Sequence, residues 1–554
     1  MSKRIVFSLA GLIILLIGWR LWPIHKSSTP DGPTTDVIKT SGSGIRGFSK
    51  NGLDIFLGIP FAESPVGNLR FKPPVERKPW QDTFNAYEFG SFCPQVYDEV
   101  VIDDPNEDLN NEDCLTLNVW TPSTSGEKRA VIFYIHGGGF VGGSSKENLY
   151  HGDVLSKNGD VVVVTANYRL ALLGFFDFSV LAGPEYTGSA DVGIQDQLLA
   201  LKWVKDNIAS FGGDPENITV VGESAGGGSA VSLLGIDNPR DYFNRMIVMS
   251  GSPLHTTENT SNIAKLIKNE TGISSPAVWK YMPTKLMMYI QDKVLKAVGS
   301  PLSDLVFAPT YGSDYVVKTS PTEAVAAGNT KGIDLMIGTM ANEMTYWSFY
   351  DTPDSHICEQ TVKENIFTMV DPSIESKLSG LYNIYSKDPQ RVWKEEGDIV
   401  LTMGDDYAFR VPALNLASQQ TAAANTYVYR VDYPINLPEQ PCQNNRSPHG
   451  SELPFVFGKI DEQTGYDFIG KPRDADDEAV RKHLMDQMIL AWTNFAKTGD
   501  PNGGDLPKWT TFDPETQPTM IFSGDTHIEN APFNEEYKAM SEFMKGFNVL
   551  DALK

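Results

Sequence analysis

The sequence is short of basic residues, of cysteine and of histidine. Its 554 residues include 46 lysines and arginines against 70 aspartates and glutamates, which gives a formal net charge of −24. A chain this acidic is repelled by the phosphates of nucleic acids, which argues against a role in binding DNA or RNA. Hydrophobic residues make up 41% of the chain and charged residues 21%. The chain can therefore bury a large core and is not intrinsically disordered.

Four cysteines are too few to form a disulfide scaffold in a chain of this length. Cys93 and Cys114 nevertheless enclose a strongly acidic stretch, and a bridge between them would close a loop of about twenty residues and stabilise the fold by about 3 kcal/mol. Cys358 and Cys442 would then remain as a second pair. The sequence contains no H-E-x-x-H motif and no cluster of cysteine and histidine, so it predicts no metal site.

One long apolar run opens the chain. It covers residues 5–19 and is interrupted by Arg20. A bilayer span needs about 20 residues, a length the run reaches if the arginine snorkels and the flanking tryptophans lie at the interface. We predict a signal anchor over residues 1–26, with a cleaved signal peptide or a buried N-terminal helix as alternatives. Either signal would place the rest of the chain outside the cytoplasm, after a flexible tether at residues 27–36.

Nearly continuous apolar runs alternate with helical patterns along the remainder of the chain. The runs lie at residues 130–135, 160–166, 218–222, 245–250, 334–339 and 426–431. Strands that are buried on both faces have this composition, and such strands belong to parallel sheets covered by helices. The alternation predicts an α/β fold with a large, mostly parallel central sheet flanked by helices. Residues 255–330 and 351–415 are predicted to be mostly helical insertions.

One serine lies in a glycine-rich turn. Residues 219–235 read TVVGESAGGGSAVSLLG, in which Ser224 follows a buried strand and precedes a helical stretch. The stretch Gly222 to Gly226 fits G-x-S-x-G, the strand-to-helix elbow that presents a nucleophilic serine above an α/β sheet. Such a sharp turn strains the serine backbone and leaves no room for side chains two residues away. Ser224 is therefore the candidate nucleophile. The alternative is a glycine-rich turn whose serine has no catalytic role.

A second glycine cluster follows another predicted strand, in the stretch YIHGGGF at residues 134–140. Three consecutive glycines allow backbone N–H groups to converge on one point, as in an HGGG-type oxyanion loop. The predicted donors are the N–H groups of Gly138, Gly139 and Ala225, and the loss of one such donor costs about 2.7–4 kcal/mol of transition-state stabilisation. A glycine turn that serves only close packing is the alternative.

A serine nucleophile needs a base, and the base needs an acidic partner. Among eight histidines, His449 lies on a late loop, in SPHGSELPFVFG. If the chain order is serine, acid, histidine, the acid lies between the other two. Glu343 directly follows the run at 334–339, so it should reach the same edge of the sheet as Ser224. We predict His449 as the base and Glu343 as the acid, although either residue taken alone would be an ordinary surface residue.

These motifs resemble the type-B carboxylesterase/lipase family, the cholinesterase-like α/β-hydrolases. The resemblance rests on EDCLTLNVW, IHGGGF, GIQDQLLALKWVKDNIASFGGDPENITVVGESAGG, HGSELPFVFG and AWTNFAKTGDPN, and it extends from about residue 37 to about residue 545. It implies an α/β-hydrolase fold as a single domain over residues 37–554, with Ser224, Glu343 and His449 as a catalytic triad.

The same resemblance implies a disulfide between Cys93 and Cys114. It also places the Ser250 hydroxyl, in MSGSPL, close to the triad, with Glu223 beside the nucleophile. Cholinesterases carry a cation-binding tryptophan inside the first disulfide loop, and residues 94–113 contain no tryptophan. A choline ester is therefore not the predicted substrate.

The motifs together predict a carboxylic-ester hydrolase that acts on a small-molecule ester through an acyl-enzyme and needs no cofactor. A lipase for longer acyl chains is one alternative. A non-catalytic, neuroligin-like adhesion or scaffold protein is another, because a fold does not fix a function. Contact with a membrane is predicted only through residues 1–26.

Overall fold

A computed structural model describes most of the chain between residues 29 and 545. The described residues are 29–41, 43–96, 111–251, 260–273, 275–298, 307–347, 372–388, 396–440 and 442–545. The predicted N-terminal signal at 1–26 and Cys358 lie outside them. Within these ranges, no helix combines the length and the apolar character that crossing a bilayer requires.

Two sheets organise the described residues. The strands are β1 (Ile38–Lys39), β2 (Gly44–Arg46), β3 (Phe48–Lys50), β4 (Leu53–Pro60), β5 (Thr83–Asn85), β6 (Thr116–Thr121), β7 (Arg129–Ile135), β8 (Val162–Ala166), β9 (Gly213–Glu223), β10 (Arg245–Met249), β11 (Asp334–Met340), β12 (Thr426–Val431), β13 (Pro518–Phe522) and β14 (His527–Asn530). Eleven of them form one large sheet in the order β14-β13-β12-β11-β10-β9-β7-β8-β6-β4-β3, and β1, β2 and β5 form a small second sheet.

The centre of the large sheet is parallel. Seven consecutive strands pair in parallel with one another, in the order β8, β7, β9, β10, β11, β12 and β13. The strands at both edges are antiparallel, since β6, β4 and β3 continue one side and β14 closes the other. The carboxyl ends of the parallel strands therefore meet at one edge, where open α/β sheets bind their ligands.

Both faces of the sheet are buried under helices. On β7, the side chains of Val131 and Phe133 pack into the hydrophobic core on one face, whereas those of Ile132 and Tyr134 pack into the core on the other. This alternation follows from the two-residue period of a strand. A strand with two buried faces needs apolar residues at every position, which explains the unbroken apolar runs in the sequence.

Helices cover the sheet and form the insertions. They are α1 (Asp153–Gly159), α2 (Ala171–Gly174), α3 (Ser179–Ala182), α4 (Val192–Asn207), α5 (Ala225–Ser232), α6 (Thr260–Thr271), α7 (Pro276–Tyr281), α8 (Thr284–Val298), α9 (Pro321–Ala326), α10 (Pro372–Tyr385), α11 (Glu396–Asp405), α12 (Val411–Gln420), α13 (Leu453–Val456), α14 (Gln463–Ile469), α15 (Ala475–Thr498) and α16 (Asn534–Met544). A π-helical turn, Asp406–Arg410, joins α11 to α12.

The predicted tether at 27–36 is held along part of its length. Thr34 forms an isolated antiparallel bridge with Phe48, and the Thr35 N–H donates to the carbonyl of Gly47. The Lys50 ammonium also pairs with Asp31. The proline, glycine and threonine composition of this segment is typical of a free linker. Pairing with a distant strand is a tertiary interaction that composition does not reveal.

Candidate active site

Ser224 lies at the turn between β9 and α5. Its backbone adopts φ 58° and ψ −125°, a conformation that a residue with a side chain rarely takes. The turn is fixed on both sides, because the Ser224 N–H donates to the carbonyl of Met249 on β10 at 3.0 Å and the Gly228 N–H donates to the Ser224 carbonyl at 2.9 Å. Ser224 is half-buried between the buried residues Glu223 and Ala225. The turn therefore presents this one side chain at the carboxyl edge of the sheet.

The glycines after Ser224 let the start of α5 press against neighbouring strands. A Cβ atom at Gly226 would overlap the carbonyl oxygen of Ile135, at the end of β7. A Cβ atom at Gly227 would lie 2.8 Å from the Cα of Gly251. Both separations are shorter than non-bonded atoms tolerate, so only glycine permits this packing. The structure gives a physical reason for the glycine cluster around the serine.

The second glycine cluster forms a loop directly after β7. Four residues of this loop have positive φ angles: Gly138 at 102°, Gly139 at 58°, Phe140 at 62° and Gly143 at 97°. The N–H groups of residues 141 and 142 both donate to the Gly138 carbonyl, at 3.0 and 2.9 Å. A Cβ atom at residue 137 would lie 3.1 Å from the Cβ of Ser224. The loop thus borders the serine.

Three backbone N–H groups around Ser224 are unused. Within the described residues, the N–H groups of Gly138, Gly139 and Ala225 make no hydrogen bond to a protein group. Gly138 is exposed, Gly139 is half-buried and Ala225 is buried beside Ser224, so these donors face a place that another molecule can reach. These are the three groups that the sequence predicts as an oxyanion hole.

His449 and Glu343 are in direct contact. Nδ1 of His449 lies 2.6 Å from Oε2 of Glu343. The other carboxylate oxygen, Oε1, accepts from the Met340 N–H at 2.7 Å. Glu343 follows β11 and is completely buried. A carboxylate against Nδ1 fixes the proton on that nitrogen and leaves Nε2 free to accept another.

Nε2 of His449 faces the neighbour of Ser224. It lies 3.2 Å from Oε1 of Glu223. Among the described residues Nε2 has no hydrogen-bond partner, so no hydrogen bond joins it to the Ser224 hydroxyl. The structure therefore brings His449 and Glu343 together directly, and it brings Ser224 to the same place through the adjacent residue.

Three buried carboxyl groups surround His449. Besides Glu343 and Glu223, Glu452 is completely buried and neither of its oxygens has a hydrogen-bond partner among the described residues. Burial raises the pKa of Glu223 to about 7. Burial and the charges of Glu223 and Glu343 hold the pKa of Glu452 well above its usual range. Burial and like charge therefore both disfavour the ionised forms of Glu223 and Glu452.

The pKa of His449 reflects the same cluster. Burial alone lowers the pKa of this imidazole, but the charges of Glu223 and Glu343 outweigh burial and raise it to about 9. By contrast, burial lowers the pKa of His136 to about 4 and keeps that ring neutral. The pKa values of the two histidines are therefore shifted in opposite directions, because only His449 faces carboxylates.

Aromatic rings enclose the His449 imidazole. The ring centres of Trp347, Phe409 and Tyr346 lie 4.8, 5.1 and 5.9 Å from it. Phe409 belongs to the π-helical turn, and such turns frequently occur at functional sites. Apolar rings exclude water from the imidazole and form one wall of the space in front of it.

The remaining predicted site residues are also placed. The Cys93–Cys114 disulfide is confirmed. Cys442 is disulfide-bonded, and Cys358, its predicted partner, lies outside the described residues. Ser250 is buried next to β10, and its hydroxyl has no hydrogen-bond partner within the described part of the chain. In the same described residues, no three histidine, cysteine or carboxylate groups are arranged to hold a metal ion.

Comparison with known proteins identifies the family of this chain. The pattern of the Carboxylesterase family matches residues 34–540. The chain belongs to the carboxylesterase family. It is similar to para-nitrobenzyl esterase of Bacillus subtilis (strain 168), with 33% identity over 507 residues, covering 91% of this chain and 98% of the relative. It is also similar to carboxylesterase 1D of Rattus norvegicus, with 31% identity and 85% of each chain covered.

Solved structures agree with this carboxylesterase assignment. The chain is similar to a carboxylesterase of Geobacillus stearothermophilus, with a TM-score of 0.78, 31% identity, and 91% of this chain and 100% of the other covered. The α/β-hydrolase fold predicted from the motifs is confirmed. As a member of this family, the enzyme is a serine hydrolase of carboxylic esters.

Several residues around His449 were not predicted from the sequence. Glu452 lies three positions after His449, yet a single glutamate in a loop gives no sign that it is buried. Phe409 lies in a helical stretch more than sixty residues after Glu343, where only the π-helical turn directs it to the imidazole. The aromatic residues around 346–350, by contrast, are visible in the sequence as candidate lining of an acyl pocket, and Tyr346 and Trp347 follow Glu343 by three and four positions.

Proposed function

We propose that Ser224, His449 and Glu343 form a catalytic triad that hydrolyses small-molecule carboxylic esters through an acyl-enzyme. The observation that carries the proposal is the 2.6 Å contact between Nδ1 of His449 and Glu343, at the sheet edge that also presents the strained Ser224. The contact orients the imidazole so that Nε2 is the basic nitrogen. A histidine in this state can activate a serine hydroxyl.

In the first step, Oγ of Ser224 attacks the ester carbonyl and its proton passes to Nε2 of His449. The C–O bond of the ester then breaks, and the imidazolium gives its proton to the departing alcohol. Glu343 stabilises the positive charge on the ring meanwhile. Hydrogen bonds between nucleophile and base often tighten only when substrate is bound, so the hydroxyl is expected to turn toward Nε2 in the complex.

In the second step, water attacks the acyl-enzyme. His449 accepts a proton from the water and then returns it to Oγ of Ser224 as the acid departs. The oxyanion that forms in each step rests on the N–H groups of Gly138, Gly139 and Ala225, whose lack of other partners supports this role. Each such donor stabilises the transition state by about 2.7–4 kcal/mol.

The test is the variant Ser224→Ala, assayed with p-nitrophenyl acetate. We expect kcat to fall by about 10⁵-fold or more, because a triad without its nucleophile retains little activity. Ser386→Ala, which changes a serine in the turn directly after α10, serves as control and should match the wild type. Retention of wild-type activity by Ser224→Ala would overturn the proposal.

A fluorophosphonate probe separates this function from the adhesion or scaffold alternative. The probe should label the wild type at Ser224 and leave Ser224→Ala unlabelled, whereas a non-catalytic relative would not react at all. A series of p-nitrophenyl esters of increasing acyl length separates an esterase from a lipase. We expect short acyl chains to give the highest kcat/KM.

We also propose that the enzyme works outside the cytoplasm. The Cys93–Cys114 disulfide supports this compartment, since such bonds persist in oxidising surroundings. The apolar run at 5–19 supports it as well. Sequencing the N-terminus of the mature protein tests the two forms of the proposal. A start at Met1 or Ser2 indicates an anchor, and a start after residue 20 indicates a cleaved signal.

A further inference from the structure

The oxyanion loop, defined here as residues 136–143, holds an unusual backbone conformation. Four of its residues have positive φ angles, and one of these, Phe140, is not glycine. Glycine adopts positive φ without steric cost, but a phenylalanine in this conformation costs free energy and persists only where neighbouring groups enforce it. The loop must therefore be held from outside itself.

Three contacts hold the oxyanion loop. At its start, the Tyr168 hydroxyl donates to the His136 carbonyl at 2.9 Å. In its middle, the Phe140 carbonyl accepts from the Ala171 N–H at 2.8 Å. At its end, the side chain of Gln95 binds both backbone groups of Gly143. The third contact differs from the others because a single side-chain amide holds both backbone groups of one residue.

The geometry of Gln95 is that of a clamp. Oε1 accepts from the Gly143 N–H at 2.9 Å, and Nε2 donates to the Gly143 carbonyl at 3.2 Å. Nε2 also donates to the carbonyl of Cys93 at 2.9 Å. The side chain is 3% exposed, so water does not compete for these bonds. All of the amide's usual hydrogen-bonding groups are engaged by backbone.

The position of Gly143 determines where the N–H groups of Gly138 and Gly139 lie. A Cβ atom at Gly143 would lie 2.5 Å from the carbonyl oxygen of Gly137 and from Nδ1 of His136, so the end of the loop packs directly on its start. The N–H of Gly142 donates to the Gly138 carbonyl as well. A shift of Gly143 therefore moves the peptide units that carry the unused N–H groups of Gly138 and Gly139.

We infer that Gln95 is a positioning residue for the oxyanion hole and that it couples the hole to the Cys93–Cys114 disulfide. The inference rests on the proposed function. Gln95 touches no reacting atom. It acts through Gly143. The Cys93–Cys114 disulfide, two residues before Gln95, fixes the position of the Gln95 side chain. Catalysis depends on donor positions to fractions of an ångström, so a loose clamp should lower the rate of the chemical step and leave ground-state binding nearly unchanged.

The test variant is Gln95→Glu. It keeps an oxygen for the Gly143 N–H but places a second oxygen against the carbonyls of Gly143 and Cys93, where the wild type has a donor. Removing an oxyanion donor costs about 10²–10³ in kcat, and displacing one should cost less. We expect kcat for p-nitrophenyl acetate to fall about 10- to 100-fold with KM within about 2-fold of the wild type.

A transition-state analogue supplies a readout that general destabilisation does not move. A trifluoromethyl ketone forms an anionic adduct with the serine, so its inhibition constant should rise by the same factor as kcat falls. Gln420→Glu is the matched control. Gln420 is equally buried and bonds Thr330 and the Ile333 carbonyl, at the opposite end of β11 from Glu343. This control should keep the wild-type kcat and inhibition constant.

The coupling to the disulfide is tested by Cys93→Ser/Cys114→Ser, alone and combined with Gln95→Glu. If the disulfide acts through the clamp, the combined variant should lose no more kcat than the larger of the two separate losses, within about 2-fold. Multiplied losses would overturn the coupling. If Gln95→Glu does not fold, Gln95→Met, with Gln420→Met as its control, replaces it.

The inference fails if Gln95→Glu keeps the wild-type kcat, if its effect falls on KM, or if Gln420→Glu loses as much kcat. None of these outcomes concerns the nucleophile. Failure of the proposed function shows elsewhere, as activity or probe labelling that survives in Ser224→Ala. The two failures are therefore distinguishable.

Discussion

The two halves of the site are built from different material. The half that carries Ser224 and the oxyanion loop is built mainly from backbone, with glycines packed against carbonyl groups and residues held at positive φ. The half that carries His449 is built from side chains, with the imidazole enclosed by buried carboxyl groups and aromatic rings. Close packing of the backbone determines the geometry of the first half, and the charges of the carboxyl groups determine the pKa of the imidazole in the second.

This difference determines how each half should fail. The packed backbone leaves no room for one added methyl group. Peptide groups do not titrate, so this packing should not depend on pH near neutrality. The side-chain half tolerates small changes of volume, since rings and carboxyl groups repack, but each of its charges changes the pKa of the others. Substitutions that add volume should therefore affect the first half, and substitutions that remove charge should affect the second.

The largest effect in this comparison is expected for Glu343→Gln, which removes a charge and keeps the volume. An amide can donate to Nδ1 and stabilise the wrong tautomer of His449, so that Nε2 no longer accepts a proton. We expect kcat for p-nitrophenyl acetate to fall by about 10³- to 10⁴-fold. Asp334→Asn makes the same change at the other end of β11, where Asp334 pairs with Arg245, and should leave kcat nearly unchanged. Similar losses in both variants would contradict a specific role for Glu343.

The second effect concerns volume without charge. In Gly226→Ala the new methyl group would overlap the Ile135 carbonyl, so we expect unfolding free energy to fall by about 3 kcal/mol and kcat to fall with it. Gly380→Ala is the control, because nothing lies within 4 Å of a Cβ at this exposed position on α10. It should stabilise the protein by about 0.5–1 kcal/mol. Chemical denaturation measures the unfolding free energies of both variants. Equal values would contradict the special role of close packing at Gly226.

The smallest effect is a shift of pH dependence in Glu223→Gln. If His449 is the base, as proposed, catalysis needs its neutral form, so kcat/KM rises with pH through the pKa of that imidazole. The charge of Glu223 helps to raise this pKa to about 9. Without that charge the pKa falls, and the rising limb should move to lower pH by about 1 unit. The profile is measured from pH 5 to 10, with exposed Glu76→Gln as control. A limb that stays in place or moves to higher pH would show that Glu223 does not face the base.

The sequence predicted the backbone half of the site better than the side-chain half. Glycines at 137–139 and 226–228 have few reasons to cluster other than close packing, so their position after apolar runs was informative. Partners of His449 such as Glu452 and Phe409 are ordinary residue types whose burial depends on tertiary packing. Sequence order supplied Glu343 only because the acid had to follow a buried strand.

The same contrast holds for the fold. All six predicted runs are strands of the parallel centre, because burial on both faces leaves an unbroken apolar signature. The antiparallel strands β3, β4, β6 and β14 were not predicted, and neither was β13, which pairs in parallel with β12 and antiparallel with β14. An edge strand is covered less completely and pairs on one side only, so polar residues enter it. The β14 sequence, HIEN, with exposed ends, is an example.

The pairing of residues 31–35 with β3 fixes how far the folded body can stand from whatever holds its N-terminus. If residues 1–26 stay in a bilayer, as predicted, only residues 27–30 remain as spacer, and four extended residues reach about 14 Å. The catalytic body would then stay beside the lipid surface and could not diffuse away from it. Apolar esters concentrate in that layer, so the enzyme would meet them at far higher local concentration than in bulk water.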